Sequence, residues 1–166
     1  MNPVHTLTSK LDTVITEAMT GQFERTRRIV KTDEFSSVFR LRPVFKTEHL
    51  VLYARANTMT HARLGVVAAK RLAPRAVTRN LVKRAVREGF RRSELLSSLG
   101  LDCVVRLSKP VGGRKEPAST PAMQDLLYRE VQSLFAVESR LKKVLEAAAA
   151  VIPALPGQND SAVDAA

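Results

Sequence analysis

Residues 76–92, AVTRNLVKRAVREGFRR, restrict the possible folds of this chain more than any other stretch. At about 100° per residue, Arg79, Asn80, Lys83, Arg84, Arg87 and Arg91 share one arc of a helical wheel. Val82, Ala85, Val86 and Gly89 take much of the opposite side, with Leu81 and Phe90 at its flanks. Such a helix docks by its apolar face and presents the cationic one. The docking residues are mostly small, which suits close packing on a sheet; a helix lying on a membrane surface would carry large apolar residues there. Apolar runs flank it on both sides, ARLGVVAAK at 62–70 and LDCVVRLSK at 101–109. Strand, helix, strand predicts a βαβ crossover, and pattern alone predicts right-handed winding for it.

Charge narrows the partner. From Arg63 to Arg92 there are ten basic residues and one acid, Glu88. The 166-residue chain has 27 Lys and Arg against 16 Asp and Glu, a net charge of +11. A helix that uses charge only for solubility intersperses acids and gains i,i+4 pairs, and here acids are almost absent. The pattern points to a polyanion. Arg and Asn together, rather than Lys alone, suit hydrogen bonds to phosphates and 2′-hydroxyls. No zinc-finger spacing, helix-turn-helix signature or basic-zipper heptad is present, so RNA is favoured over DNA.

The rest of the chain reads as one small domain. TDEFSSVFR predicts a short helix with Thr32 as N-cap, Asp33 and Glu34 at its positive end and Arg40 at its other end. His49 to Ala54 alternates as a strand does. Residues 110–121, PVGGRKEPASTP, form a long loop. Leu127, Val131, Leu134, Leu141 and Leu145 make one apolar stripe, predicting a single helix from Met123 to about Ala148. Residues 1–22 are expected to be a weakly ordered extension, 23–148 the domain, and 149–166 a disordered Ala/Pro tail. A hydrophobic content of 45% supports a core. The architecture expected is α+β: a small mixed sheet with helices packed on it.

Catalytic chemistry is missing from the sequence. Cys103 lies in an apolar run and reads as a small buried hydrophobe. His5, His49 and His61 show no ligand spacing and read as surface residues. Gly112–Gly113 lacks the Lys-Ser/Thr of a phosphate-binding loop. No clustered acids suggest a two-metal nuclease. No metal site is expected on the protein. With no apolar span for a membrane and no apolar core near the N-terminus for a secretory signal, the expected location is cytoplasmic.

The stretch AVTRNLVKRAVREGFR resembles the signature of the bacterial ribonuclease P protein subunit: Ala76, Arg79, Asn80, Val82, Lys83 and Arg84 meet it position by position. RIVKTDEFSSVFR is similar to the family's N-terminal helix, LVLYAR to its strand carrying an aromatic, and RLGVVAAKR and DCVVRLSKP to the strands around the basic helix. The resemblance covers about residues 25–146. Leu81 departs from it where many relatives carry another arginine, and the 110–121 loop is enlarged. The resemblance implies a single-domain αβββαβα sandwich like ribosomal protein S5 domain 2, with an unusual left-handed crossover against the statistical rule. It also implies a non-catalytic subunit, one protein with one catalytic RNA, that assists Mg2+-dependent removal of the 5′ leader from precursor tRNA. The metal would be bound mainly by the RNA. Arg79, Asn80, Lys83, Arg84, Arg87 and Arg91 would bind the catalytic RNA. Phe35, Phe39, Tyr53, Lys70 and Arg71 would line the leader cleft between the first helix and the sheet. Read without the family, Phe35 and Phe39 favour a core role; with it, a shared role in which one aromatic edge faces the cleft. No residue is expected to be catalytic.

Overall fold

The computed structural model describes residues 24–112, 115–117 and 119–151. The expected N-terminal extension and residues 152–166 of the expected tail lie outside them. After a 3-10 turn at Arg25–Arg27 come α1 (Thr32–Phe39), β1 (Phe45–Lys46), β2 (Leu50–Ala56), β3 (Arg63–Val67), α2 (Ala76–Arg92), α3 (Glu94–Ser98), β4 (Leu101–Leu107), α4 (Pro121–Phe135) and α5 (Glu138–Val151). The four strands form one mixed sheet in the order β1-β2-β4-β3. β2 and β4 are antiparallel along their whole length, from Leu50 opposite Leu107 to Ala56 opposite Leu101. β3 runs parallel to β4, so the basic helix sits in the expected βαβ crossover, with α3 as an additional short turn of helix.

Period-two alternation sorts the strand residues onto two faces. Leu50, Leu52, Ala54, Leu64, Leu101, Cys103, Val105 and Leu107 point into the larger core, which α2, α4 and α5 cover. Val51, Tyr53 and Val104 point the other way and pack with Ile29 and Val38 beneath α1. α2 buries Leu81, Val82, Ala85, Val86 and Phe90, the face expected from the wheel. Gly89 lets α4 approach, because a Cβ there would overlap Val131.

Two boundaries differ from expectation. The N-cap of α1 is Lys31, and Thr32 is already helical; no side-chain cap bond forms. The single long C-terminal helix is two helices, broken at Ala136–Val137. Extending the stripe Leu127, Val131, Leu134 by four would place Glu138 on the buried side. The break instead puts Glu138 in the first turn of α5, where its charge suits the helix dipole and pairs with Lys142 at 2.6 Å. It also turns α5 back onto the strands. Leu141 is fully buried, and the Arg140 guanidinium lies 5.0 Å from the Phe45 ring and donates to the Val44 carbonyl at 3.3 Å. α4 starts earlier than expected, at Pro121, because the Thr120 hydroxyl accepts from the Met123 N–H and proline fits the first helical position. α5 continues to Val151, three residues into the expected tail.

Candidate RNA-binding surfaces

The six polar residues nominated on α2 share its outward side, but their local chemistry differs. Arg79 folds back on its own helix start and donates to the Ala73 and Pro74 carbonyls at 3.0 and 2.8 Å. It satisfies carbonyls that precede the helix and pins the turn there. Arg91 pairs with Glu88 at 2.8 Å, and Arg92 shares that carboxylate, so one acid partly neutralises the last turn. These two arginines hold Glu88 below the usual carboxylate range, Arg91 contributing most. Among the described residues, no hydrogen bond or ion pair engages the Asn80, Lys83, Arg84 or Arg87 side chains. Arg87 is half-buried, and burial together with the nearby Arg28 charge pushes its pKa down. It still stays charged at any physiological pH. Like charges held together by the fold are relieved by an anion, so Lys83, Arg84 and Arg87 form the part of this face best suited to phosphate.

The other surface lies between α1 and the sheet. Phe35 and Phe39 share a helix face as expected, but the sheet gives them different neighbours. Phe35 lies directly over Gly65, where a Cβ would overlap its ring, and is half-buried. Phe39 meets Tyr53 edge-on, with ring centroids 5.2 Å apart. The Arg106 guanidinium lies 5.9 Å from both rings. Tyr53 is buried, Phe39 half-buried and Arg106 exposed. The surface is thus an aromatic pair topped by a cation. Lys70 and Arg71 are exposed in the turn after β3, and the ring contacts joining Phe39, Tyr53 and Arg106 do not include them.

A buried ionic cluster fixes α1 over this sheet face. Asp102 of β4 is fully buried and accepts two hydrogen bonds from Arg63, at 2.9 and 2.8 Å. Asn57 donates to it at 2.9 Å and Arg55 at 3.2 Å. Arg63 also reaches Glu34 on α1 at 2.9 Å, and Arg55 donates to the Ser37 hydroxyl at 2.7 Å. Burial pushes the Asp102 carboxyl up, but the bonds from Arg63, Asn57 and Arg55 hold it below the usual range. Arginine suits this role because its planar fork binds a carboxylate bidentately.

The sequence model of the family described as Ribonuclease P matches residues 23–131. The chain is 46% identical over 119 residues to the ribonuclease P protein component of Ralstonia pickettii, covering 71% of this chain and 83% of that one. The chain belongs to the ribonuclease P protein family. The corresponding protein of Paraburkholderia xenovorans is 47% identical over 115 residues, covering 68% and 80%. Among solved structures, the Staphylococcus aureus RNase P protein matches with a TM-score of 0.47 at 27% identity, covering 74% of this chain and 94% of that one. The Thermotoga maritima RNase P protein matches with 0.44 at 26%, covering 72% and 96%.

The ribonuclease P family match contains both surfaces and the Asp102 cluster but stops inside α4, so α5 lies beyond it. Within the match, His49 departs from expectation. It is half-buried, its Nδ1 lies 2.5 Å from Glu130, and its backbone N–H donates to the same carboxylate at 2.9 Å. Thr47 donates to Glu130 as well, at 2.5 Å. Glu130 thereby ties α4 to the turn between β1 and β2. His61 is also not a plain surface residue, since its Nε2 is buried and unpartnered among the described residues. His5 lies outside the described residues. Cys103 is buried as expected, and burial, with Asp102 beside it, pushes its thiol up to about 12. Such a thiol is not a nucleophile at neutral pH. No described helix is long and apolar enough to cross a membrane.

Proposed function

We propose that this chain is the cytoplasmic protein subunit of a ribonuclease P ribonucleoprotein, one protein with one catalytic RNA. In this reading the α2 face holds the catalytic RNA, and the Phe39–Tyr53–Arg106 surface takes the single-stranded 5′ leader of precursor tRNA. The RNA carries out the endonucleolytic cleavage that generates the mature 5′ end. The observation that supports this reading best is the pairing of two unlike surfaces on opposite sides of one sheet. A dense cationic face suits a folded RNA, whose phosphates dominate affinity. A half-buried Phe39 backed by the buried Tyr53, with an exposed arginine beside it, suits an unpaired strand, because every base has a π-face and stacking tolerates any sequence.

Mg2+, when bound, supplies the activated water for hydrolysis, and the proposal assigns it to the RNA. The described residues gather one group of possible ligands, Glu48, His49 and Glu130. Imidazole suits transition metals better than Mg2+, and Glu130 is already committed to three hydrogen bonds. The protein's own contribution is electrostatic and positional. Its cations lower the repulsion between two polyanions, and its leader surface adds affinity for the precursor over the mature tRNA.

The test is leader cleavage of a precursor tRNA at low Mg2+, with a bacterial ribonuclease P RNA, this protein, or both. Cleavage only with both is expected; cleavage by the protein alone would overturn the division of labour. Tight RNA binding without stimulation would leave a general RNA-binding protein. Arg106→Ala is expected to weaken holoenzyme binding of long-leader precursor by roughly tenfold near 0.1 M salt, the worth of about one phosphate contact. Mature tRNA affinity should not change. An equal loss for both would remove Arg106 from the leader surface.

A further inference from the structure

A cavity of about 330 Å3 lies between α2 and α4. Its wall is formed by Val77, Leu81, Asn80, Arg84, Gln124 and Tyr128, with Ser119 at its edge. That volume is at the small end of the range for small-molecule sites, about 300–1,000 Å3. The lining is selective in kind: one phenol ring, two carboxamides, one hydroxyl, one guanidinium, two aliphatic side chains and no acid.

We propose that this cavity takes one unpaired nucleotide of the bound RNA, its base against Tyr128 and the carboxamides and its phosphate on Arg84. The proposal rests on the reading of the α2 face as the RNA-binding face, and deepens it by naming what that face recognises. Three observations carry it. Asn80 and Arg84 line both the cavity and the cationic face, so RNA lying on that face passes the cavity mouth. Neither the Asn80 and Arg84 side chains nor the Tyr128 hydroxyl has an intramolecular partner among the described residues, so each is free to bond a ligand. Val77 is 57% exposed at the rim, an apolar surface that a base would cover. The chemistry fits a base better than a bare phosphate. A carboxamide can donate and accept at once, as a base edge requires, and the tyrosine ring offers stacking. A paired base in an A-form helix cannot enter, because its edges stay inside the grooves; a nucleotide in a loop or bulge can.

The test compares binding of the full chain to a bacterial ribonuclease P RNA and to a blunt RNA duplex of similar length with no unpaired nucleotides. Tyr128→Ala is expected to weaken binding to the structured RNA by roughly 5- to 100-fold, leaving duplex binding and the salt dependence unchanged. Tyr128→Phe should retain most of the affinity, since the ring remains. Because Tyr128 also touches the core, Ser119→Trp provides a second variant. Its indole would fill the cavity from the loop, and the same selective loss is expected with an unchanged thermal midpoint. Equal weakening on both RNAs, or no weakening by either variant, overturns the proposal. If the unaltered protein does not prefer the structured RNA to the duplex, the parent reading of the α2 face falls, and this inference with it.

Discussion

Asp102→Ala should destabilise the fold by about 3–5 kcal/mol in urea titrations, a large part of the 5–15 kcal/mol typical of a domain. The cost comes from what the substitution leaves behind. The Arg63 side chain is 13% exposed, and its two bonds to Asp102 would be replaced by nothing. A buried guanidinium with one remaining partner, Glu34, cannot recover its hydration. Removing both charges together, with Arg63→Met and Asp102→Leu, should restore much of the loss, because a buried ion pair is worth little against apolar side chains of similar size. A loss below about 1 kcal/mol for Asp102→Ala would mean that water reaches the cluster and that it does not anchor α1. The pH dependence has a definite sign. The carboxyl is depressed in the folded state, so its contribution is complete above the unfolded value near 4 and is lost as pH falls from there through the folded value. Acid unfolding should therefore steepen below about pH 4, and Asp102→Asn should flatten that limb.

Local patterns in the sequence carried most of the architecture. The buried and exposed sides of α2 follow from a 3.6-residue period, and β2, β3 and β4 from alternation and β-branched runs. Information that depends on register across the sheet was less accessible. Phe35 and Phe39 are equivalent on a helical wheel; they differ because Gly65 faces one and Tyr53 the other. Arg106 and Asp102 were visible as charges within an apolar strand. Their alternation with Val104 assigns all three to the α1 face, a signal that identifies both the cleft cation and the buried anchor once the strand is placed between β2 and β3. The helix break was not legible in the apolar stripe, which runs on to Leu141 and Leu145 with Glu138 as its one charged departure. The tie between His49 and Glu130 spans 81 residues, and nothing local in either segment announces it. Arg79 lies in the stretch that resembles the family signature, and the fold adds a role the resemblance does not express: its guanidinium closes the turn before α2.

That role decides which residues to remove in order to measure the RNA face. Arg79→Ala would disturb the helix start as well as any phosphate contact, so its effect on binding would be ambiguous. Lys83, Arg84 and Arg87 carry no intramolecular ion pair among the described residues, and their loss should relieve repulsion in the free protein rather than unfold it. The triple change Lys83→Ala, Arg84→Ala, Arg87→Ala is expected to weaken binding to a bacterial ribonuclease P RNA by roughly 100- to 1,000-fold near 0.1 M salt. Each phosphate contact contributes about 0.9 to the slope of log affinity against log salt, so three contacts should lower that slope by almost three units. The thermal midpoint should hold or rise slightly, most of all at low ionic strength, where the Arg87 and Arg28 charges repel most strongly. Arg91→Ala should cost less than any of the three, because Glu88 already shares its charge. An affinity loss with an unchanged slope would mean that these side chains shape the surface without neutralising phosphates. A collapse in stability would place them in the fold rather than in recognition.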